Sequence, residues 1–204
     1  MSIERIKENV IKVLKRRGYT DIEEDKDNSE EDYIGFVITF KISEKQKGKC
    51  LYCIEKMGIE QMSQIFGKML DEKNYLILLY SSITNFVSKS YKDNISKFLK
   101  TAELIDSTLF FQDILSHPLI PYYRALTDEE TETVLKQYTI KGTKIEDTKE
   151  AFPKLLTTDP VSILMGFKEG QVVKVLDYYN FTRKITDYKM PPTITYCIVE
   201  GVNE

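Results

Sequence analysis

The sequence has little of what chemistry at a metal or a nucleophile needs. Its 204 residues contain one histidine, His117, and three cysteines, Cys50, Cys53 and Cys197. A zinc site takes about four such ligands, and Cys50 and Cys53 form a C-x-x-C pair with no second pair to complete it. The spacer Leu51-Tyr52 lies in an apolar run and no helix start follows Cys50, so a thioredoxin-type dithiol is excluded as well. Three cysteines cannot pair evenly; they read as buried thiols in a reducing compartment. A Ser-His-Asp triad would have to use His117, held between Ser116 and Pro118 in a linker, where a structural histidine is the better reading. The glycines fit neither a P-loop nor a dinucleotide fingerprint, and no cofactor is expected.

Long apolar runs are missing too. Stretches such as Leu76-Ile77-Leu78-Leu79 are far too short to cross a bilayer. The first helical segment carries Glu4, Arg5, Lys7 and Glu8 where a signal peptide needs an apolar core, so no secretory signal is expected. A basic surplus is also lacking: 29 basic and 32 acidic residues give a net charge of −3. Up to residue 115 the count is 18 basic against 19 acidic, and beyond it 11 against 13. A protein whose main task is gripping nucleic acid shows an excess of cations. This chain is expected to meet proteins, or to touch DNA as part of something larger. What is present is an ordinary globular composition, 42% hydrophobic and 30% charged, with enough apolar material for one ample core or two small ones.

Ile3, Ile6, Val10, Val13 and Leu14 repeat at helical spacing and predict an amphipathic helix over residues 3–17, capped by Ser2 and stopped by Gly18. Lys15, Arg16 and Arg17 complement the dipole at its end and read as a solvated cluster. Residues 21–32 are acidic and read as a loop. Tyr33 to Ile42 reads as a strand, Lys45 to Lys49 as a polar turn, and Lys49 to Ile54 as a second strand. Helical spacing returns from Ile59 to Leu70 and from Val87 to Leu99. Between these, Tyr75 to Tyr80 reads as a strand covered on both faces; Leu109 to Ile114 reads as another. An α/β unit over residues 1–115 follows.

The composition changes at Ser116-His117-Pro118-Leu119-Ile120-Pro121, where two prolines favour an extended link. A second unit, residues 116–204, reads as small and α+β. Thr127 to Glu130 is a capping box opening a helix to about Tyr138. Phe152 to Leu156 is extended. Asp159 caps a short helix with Pro160 at its first position, stopped by Gly166. Lys168-Glu169-Gly170 is a turn between this helix and a strand from Gln171 to Tyr178. A loop over residues 179–192 leads to a returning strand, Thr193 to Glu200. Val172, Val173 and Val175 put apolar groups on both faces of their strand, so one face or edge is expected to meet a partner.

One catalytic layout is nearly present. A strand with Asp, then a strand with Glu-x-Lys and a helix, is how metal-dependent nucleases hold Mg²⁺ and orient water. Asp32 and Glu55 stand at the right places, but the lysine is Lys56, adjacent to Glu55, and the residue at the required spacing is Met57. Neighbours on a strand face opposite ways. The skeleton is there without the chemistry; an independent nuclease-like DNA-processing protein is the alternative function.

The second half carries a resemblance. His117-Pro118-Leu119-Ile120-Pro121, Leu126-Thr127, Phe152-Pro153-Lys154, Asp159-Pro160-Val161 and the run Gly166 to Val175 resemble the assembly domain of the fifth common subunit of eukaryotic nuclear RNA polymerases. The archaeal enzyme's equivalent subunit consists of that domain alone. The resemblance is good over about residues 116–199. The first half is similar, in order of elements, to the eukaryotic subunit's jaw domain, which is related to restriction endonucleases without their active site. It implies a non-catalytic subunit of a DNA-directed RNA polymerase, with an inactive restriction-endonuclease-like jaw over residues 1–115 and an assembly domain over 116–204. The expected partners are the largest subunit, the sixth common subunit and downstream double-stranded DNA, with no membrane. The expected partner-binding residues are His117, Pro118, Asp159, Pro160, Val161, Gly166, Gly170, Gln171 and Val173; Thr84, Asn85, Ser88 and Lys89 are expected near DNA. Where the family carries Arg-Pro-Ser-Glu-Thr-Ala-Gly, this chain has Asp177 to Thr182 and a longer loop. Where the jaw carries Thr-Pro-Ser, it has Thr84-Asn85-Phe86. Such drift points to a divergent eukaryote, with a nuclear protein, or to a large DNA virus of eukaryotes, with a protein of the viral factory or virion.

Overall fold

The computed structural model describes residues 2–25, 34–54, 75–80, 102–140, 144–177 and 193–201. They fall into two units, Met1–Asp113 and Ile114–Glu204.

In the first unit, helix α1 (Ile3–Arg16) buries Ile6, Val10, Val13 and Leu14 along one stripe. Gly18, at φ 82°, ends it. The Gly18 N–H bonds the Lys15 carbonyl and the Tyr19 N–H bonds that of Leu14, a complete Schellman closure. Ser2 stands at the N-cap but its side chain makes no capping bond. The cluster at the other end is not uniformly solvated either. Lys15 and Arg16 are exposed, but the Arg17 side chain is 2% exposed and pairs with Glu103 at 2.7 Å. Glu103 also accepts a bond from the Tyr75 hydroxyl. Burial is the largest influence and opposes the Arg17 charge, yet Glu103 and Tyr19 together outweigh it and hold the guanidinium above its usual pKa.

The sheet runs β1-β2-β3-β4-β5. β1 (Thr20–Glu24) occupies residues expected to be loop. It is an edge strand with its carboxylates in solvent, so polar residues cost it nothing; Glu23 pairs with Thr39. β2 (Ile34–Ser43) and β3 (Gln46–Cys53) form an antiparallel hairpin whose turn is only Glu44-Lys45. Gln46, Lys47 and Gly48, expected in the turn, are instead strand residues, so β3 starts earlier than Lys49. β4 (Tyr75–Tyr80) pairs in parallel with β3, and β5 (Ala102–Asp106) in parallel with β4. Leu76 to Leu79 are all buried, as the unbroken apolar run implied.

The strand expected at Leu109 to Ile114 is absent. Asp106 ends β5 and its side chain accepts the Thr108 N–H, starting a 3-10 turn over Ser107–Phe110; a second spans Ile114–Ser116. Short polar side chains favour such local bonds over a sheet ladder. Buried Asn9 closes the turn by donating to the Phe110 carbonyl. The expected helices over 59–70 and 87–99, with Asp32, Glu55, Lys56 and Met57, lie outside the described residues.

Cys50 and Cys53 are free and buried, and three positions apart on β3 they face opposite sides of the sheet. Burial pushes the Cys53 thiol up to about 12. Gly48 lies under Phe40: a Cβ there would be 2.4 Å from the ring and 3.1 Å from the Tyr75 carbonyl. The ring stacks on Tyr19 at 4.8 Å and cannot swing freely. Gly48→Ala is therefore expected to destabilise this unit by about 1–3 kcal/mol, read by urea melts. A neutral result would show that the stack yields.

In the second unit the sheet order is β6-β8-β9-β7. β6 (Tyr122–Ala125) leads through Thr127 into helix α2 (Asp128–Tyr138). The capping box forms: Thr127 Oγ1 accepts the Glu130 N–H at 3.2 Å and Glu130 accepts that of Thr127 at 3.0 Å. A short α3 (Ile145–Glu150), which the sequence reading lacked, precedes β7 (Lys154–Leu156). Helix α4 (Pro160–Met165) has Asp159 as N-cap, bonded to the Val161 N–H at 2.8 Å, and ends at Gly166 with φ 70°. β8 (Val172–Asp177) and β9 (Thr193–Glu200) pair antiparallel; β7 joins β9 in parallel. One face of this sheet carries Val173, Val175 and Val199 beneath Phe167.

Candidate functional site

His117 to Ile120 is a turn rather than an extended link. The Ile120 N–H bonds the His117 carbonyl at 2.9 Å, and the imidazole Nδ1 accepts the Leu119 N–H at 3.2 Å. Pro118 fixes the second turn position, and both His117 and Pro118 are exposed. The histidine's acceptor is thus committed to its own backbone.

The stretch Asp159 to Gln171 is a compact knuckle in which nearly every singled-out residue makes the fold. Asp159 caps α4; Pro160 is exposed at its first position. Gly166 lets the Phe167 N–H return to the Ser162 carbonyl. Gly170, at φ 81°, gives its N–H to Val199 at 2.8 Å, and the Val199 N–H returns to Gln171 at 2.9 Å. Gln171 also closes the turn through its side chain, which accepts the Lys168 N–H.

Two of the expected partner-binding residues are buried within the unit. Val161 is 6% exposed and Val173 0%. β8 is an inner strand, paired with β6 on one edge and β9 on the other. Val172, Val173 and Val175 are all buried within the unit, and neither edge is open to an added strand. The sequence could not show this because four residues of β6 supply the covering edge from a segment with two exposed positions. The DNA-proximal set, Thr84, Asn85, Ser88 and Lys89, lies outside the described residues.

The opposite face holds what the sequence reading missed. Arg124, Lys174 and Tyr196 are direct cross-strand partners on β6, β8 and β9. With α2 they wall a cleft of about 360 Å³. Arg124 makes two bonds to Glu130, at 2.8 and 3.0 Å, and at the far end Tyr138 meets Tyr196 edge-on at 5.8 Å. The period-two alternation of the three strands would have identified the row. Among the described residues no group of three or more His, Cys, Asp or Glu could hold a metal, and no helix is long and apolar enough to cross a membrane.

The Arg124 bonds, then the Thr127 N–H, hold the Glu130 carboxyl below its ordinary value of 4.5, at about 2. A depressed carboxyl stabilises the fold above its unfolded pKa. Its contribution is lost as the pH falls from about 4.5 towards 2. Stability of the second unit is expected to decline over that window, and Glu130→Gln, which keeps an acceptor for the cap, is expected to flatten the decline. Thermal melts across the pH range test this; an unchanged profile in the variant would exclude the pair as the cause.

By sequence the chain is similar to subunits of DNA-directed RNA polymerases. Residues 112–190 match the family described as RNA polymerase Rpb5, C-terminal domain. Over 205 residues, 87% of this chain and 92% of the relative, the chain is 25% identical to DNA-directed RNA polymerase subunit 5-like protein 1 of Arabidopsis thaliana. It is 35% identical over 63 residues, 31% of this chain, to subunit Rpo5 of Methanococcoides burtonii, covering 72% of it. It is 30% identical over 79 residues, 39% of this chain, to subunit Rpo5 of Methanothermobacter thermautotrophicus, covering 94% of it. The chain belongs to the RNA polymerase subunit 5 family.

Proposed function

We propose that the chain is a non-catalytic subunit of a multisubunit DNA-directed RNA polymerase and acts in transcription inside the cell. Its second unit is the assembly domain, docking on the largest subunit near the sixth common subunit. Its first unit is the jaw, a restriction-endonuclease-like fold without the active site, lining the path of downstream DNA, with Thr84, Asn85, Ser88 and Lys89 towards the phosphates. The observation that carries the reading is one of size. A 79-residue match covers 94% of an archaeal subunit, so that subunit is about as long as the second unit alone, to which the matched family domain belongs. A domain of that size is thus enough for an archaeal subunit of this family, which supports reading the second unit as the piece that joins the polymerase. The hairpin β2–β3 followed by the parallel strand β4 supports the jaw reading, and the acidic balance supports contact with DNA only within a larger assembly.

A tagged full-length chain is expected to co-purify with the large catalytic subunits, identified by mass spectrometry, and to leave plasmid DNA intact with Mg²⁺ or Mn²⁺. Elution without those subunits, together with metal-dependent nicking that Glu55→Ala abolishes, would replace this reading with the nuclease one.

A further inference from the structure

Strand β5 lies at the edge of the first sheet among the described residues, and there it pairs with β4. Register between two strands is set by the pattern of apolar residues along them. β4 supplies no pattern: Leu76, Ile77, Leu78 and Leu79 are all buried, so each of these positions offers an apolar neighbour whichever face it serves. The five residues of β5 are Ala102-Glu103-Leu104-Ile105-Asp106. Asp106 ends the strand by capping the turn after it. Glu103, opposite Ile77, is the charged side chain in the strand's interior.

Its carboxylate meets donors from two other places in the chain. The Arg17 guanidinium, just past α1, reaches one oxygen at 2.7 Å, and the Tyr75 hydroxyl, at the start of β4, reaches the other. A slip of one residue would turn Glu103 to the opposite face of the sheet. A slip of two would carry it about 7 Å along β4, well beyond both contacts. Either slip would leave Arg17, whose side chain is 2% exposed, without its carboxylate, and a buried charge that loses its partner is strongly destabilising. We infer that the Arg17–Glu103 pair is a register lock: it selects one alignment of β5 on a strand with no alignment preference of its own. The bond from Asn9 to the Phe110 carbonyl lies beyond β5 and holds the turn that follows.

The test is Arg17→Met/Glu103→Leu in the full-length chain, without the polymerase. Those changes make residues 102–105 continuously apolar, so they suit β4 in more than one alignment. The double variant is expected to melt close to wild type. It is nevertheless expected to show two sets of NMR amide signals for residues 102–106, or exchange there faster by roughly tenfold or more, with β2 and β3 unchanged. Adding Leu104→Thr restores an alternating pattern without charge and is expected to restore one set of signals and native protection. Asn9→Ala is expected to lower the melting temperature and keep one set. One set of signals with native protection at residues 102–106 in the folded double variant would overturn the inference. So would a splitting that Leu104→Thr leaves in place, or one that Asn9→Ala produces by itself. If the double variant does not fold, the pair holds the fold itself rather than its register, and the inference falls.

Discussion

Val173→Asp is expected to unfold the second unit. Val173 is fully buried on the inner strand of its sheet, packed with Phe167, Val175 and Val199, with Tyr123, Ala125, Leu155, Met165 and Cys197 around them. No described cation faces it there, so the carboxylate would be buried unpaired. That cost, added to the lost packing, is on the order of 5 kcal/mol, comparable to the whole stability of so small a unit. Hydrogen exchange read by mass spectrometry should show peptides from residues 114–204 losing protection while those from 1–113 keep it. Val173→Ala, which removes volume without adding charge, is expected to cost about 2 kcal/mol and keep the fold. If Val173→Asp kept native protection throughout, Val173 would face outward and the core described here would be wrong.

Arg17→Ala is expected to be the most damaging single change on the surface-like end of α1. It leaves Glu103, only 13% exposed, beside Tyr75 without the Arg17 charge. Breaking a buried pair from one side costs about 3–5 kcal/mol, a fall in Tm of roughly 10 °C or more for a unit of this size. Lys15→Ala, two positions away and exposed, is expected to change stability by no more than about 0.5 kcal/mol. The double change Arg17→Met/Glu103→Leu should recover much of the loss, because an apolar pair of similar volume removes both charges from the interior. Equal melts for Arg17→Ala and Lys15→Ala would show that the pair adds nothing to the fold.

The contrast between Lys15 and Arg17 shows what local sequence leaves open. Both follow the same helical rhythm and both suit the helix dipole. Which one enters the interior depends on the Schellman turn at Gly18, which carries Arg17 towards Glu103, 86 positions along the chain. The same holds for Val173. Apolar residues on both faces of a strand mean that both faces are covered, but not by what. For Val173 the cover is internal: Phe167 and Val199 pack with it, and β6 and β9 bond both edges of β8.

Sequence alone determined the elements whose signals are local. The Thr127 capping box, Asp159 with Pro160 and the left-handed Gly166 and Gly170 are decided by bonds spanning a few residues, and the matching elements stand within a residue or two of where the sequence places them. It also determined the family, because the signature from Asp159 to Val175 is a run of such local devices. Only the tertiary structure decided that residues 20–24 are an edge strand, that the segment after Asp106 turns rather than extends, and which of the singled-out side chains are core. Those outcomes depend on pairing partners and burial between segments far apart in the chain. That free energy is shared across the fold, and no window of neighbouring residues contains it.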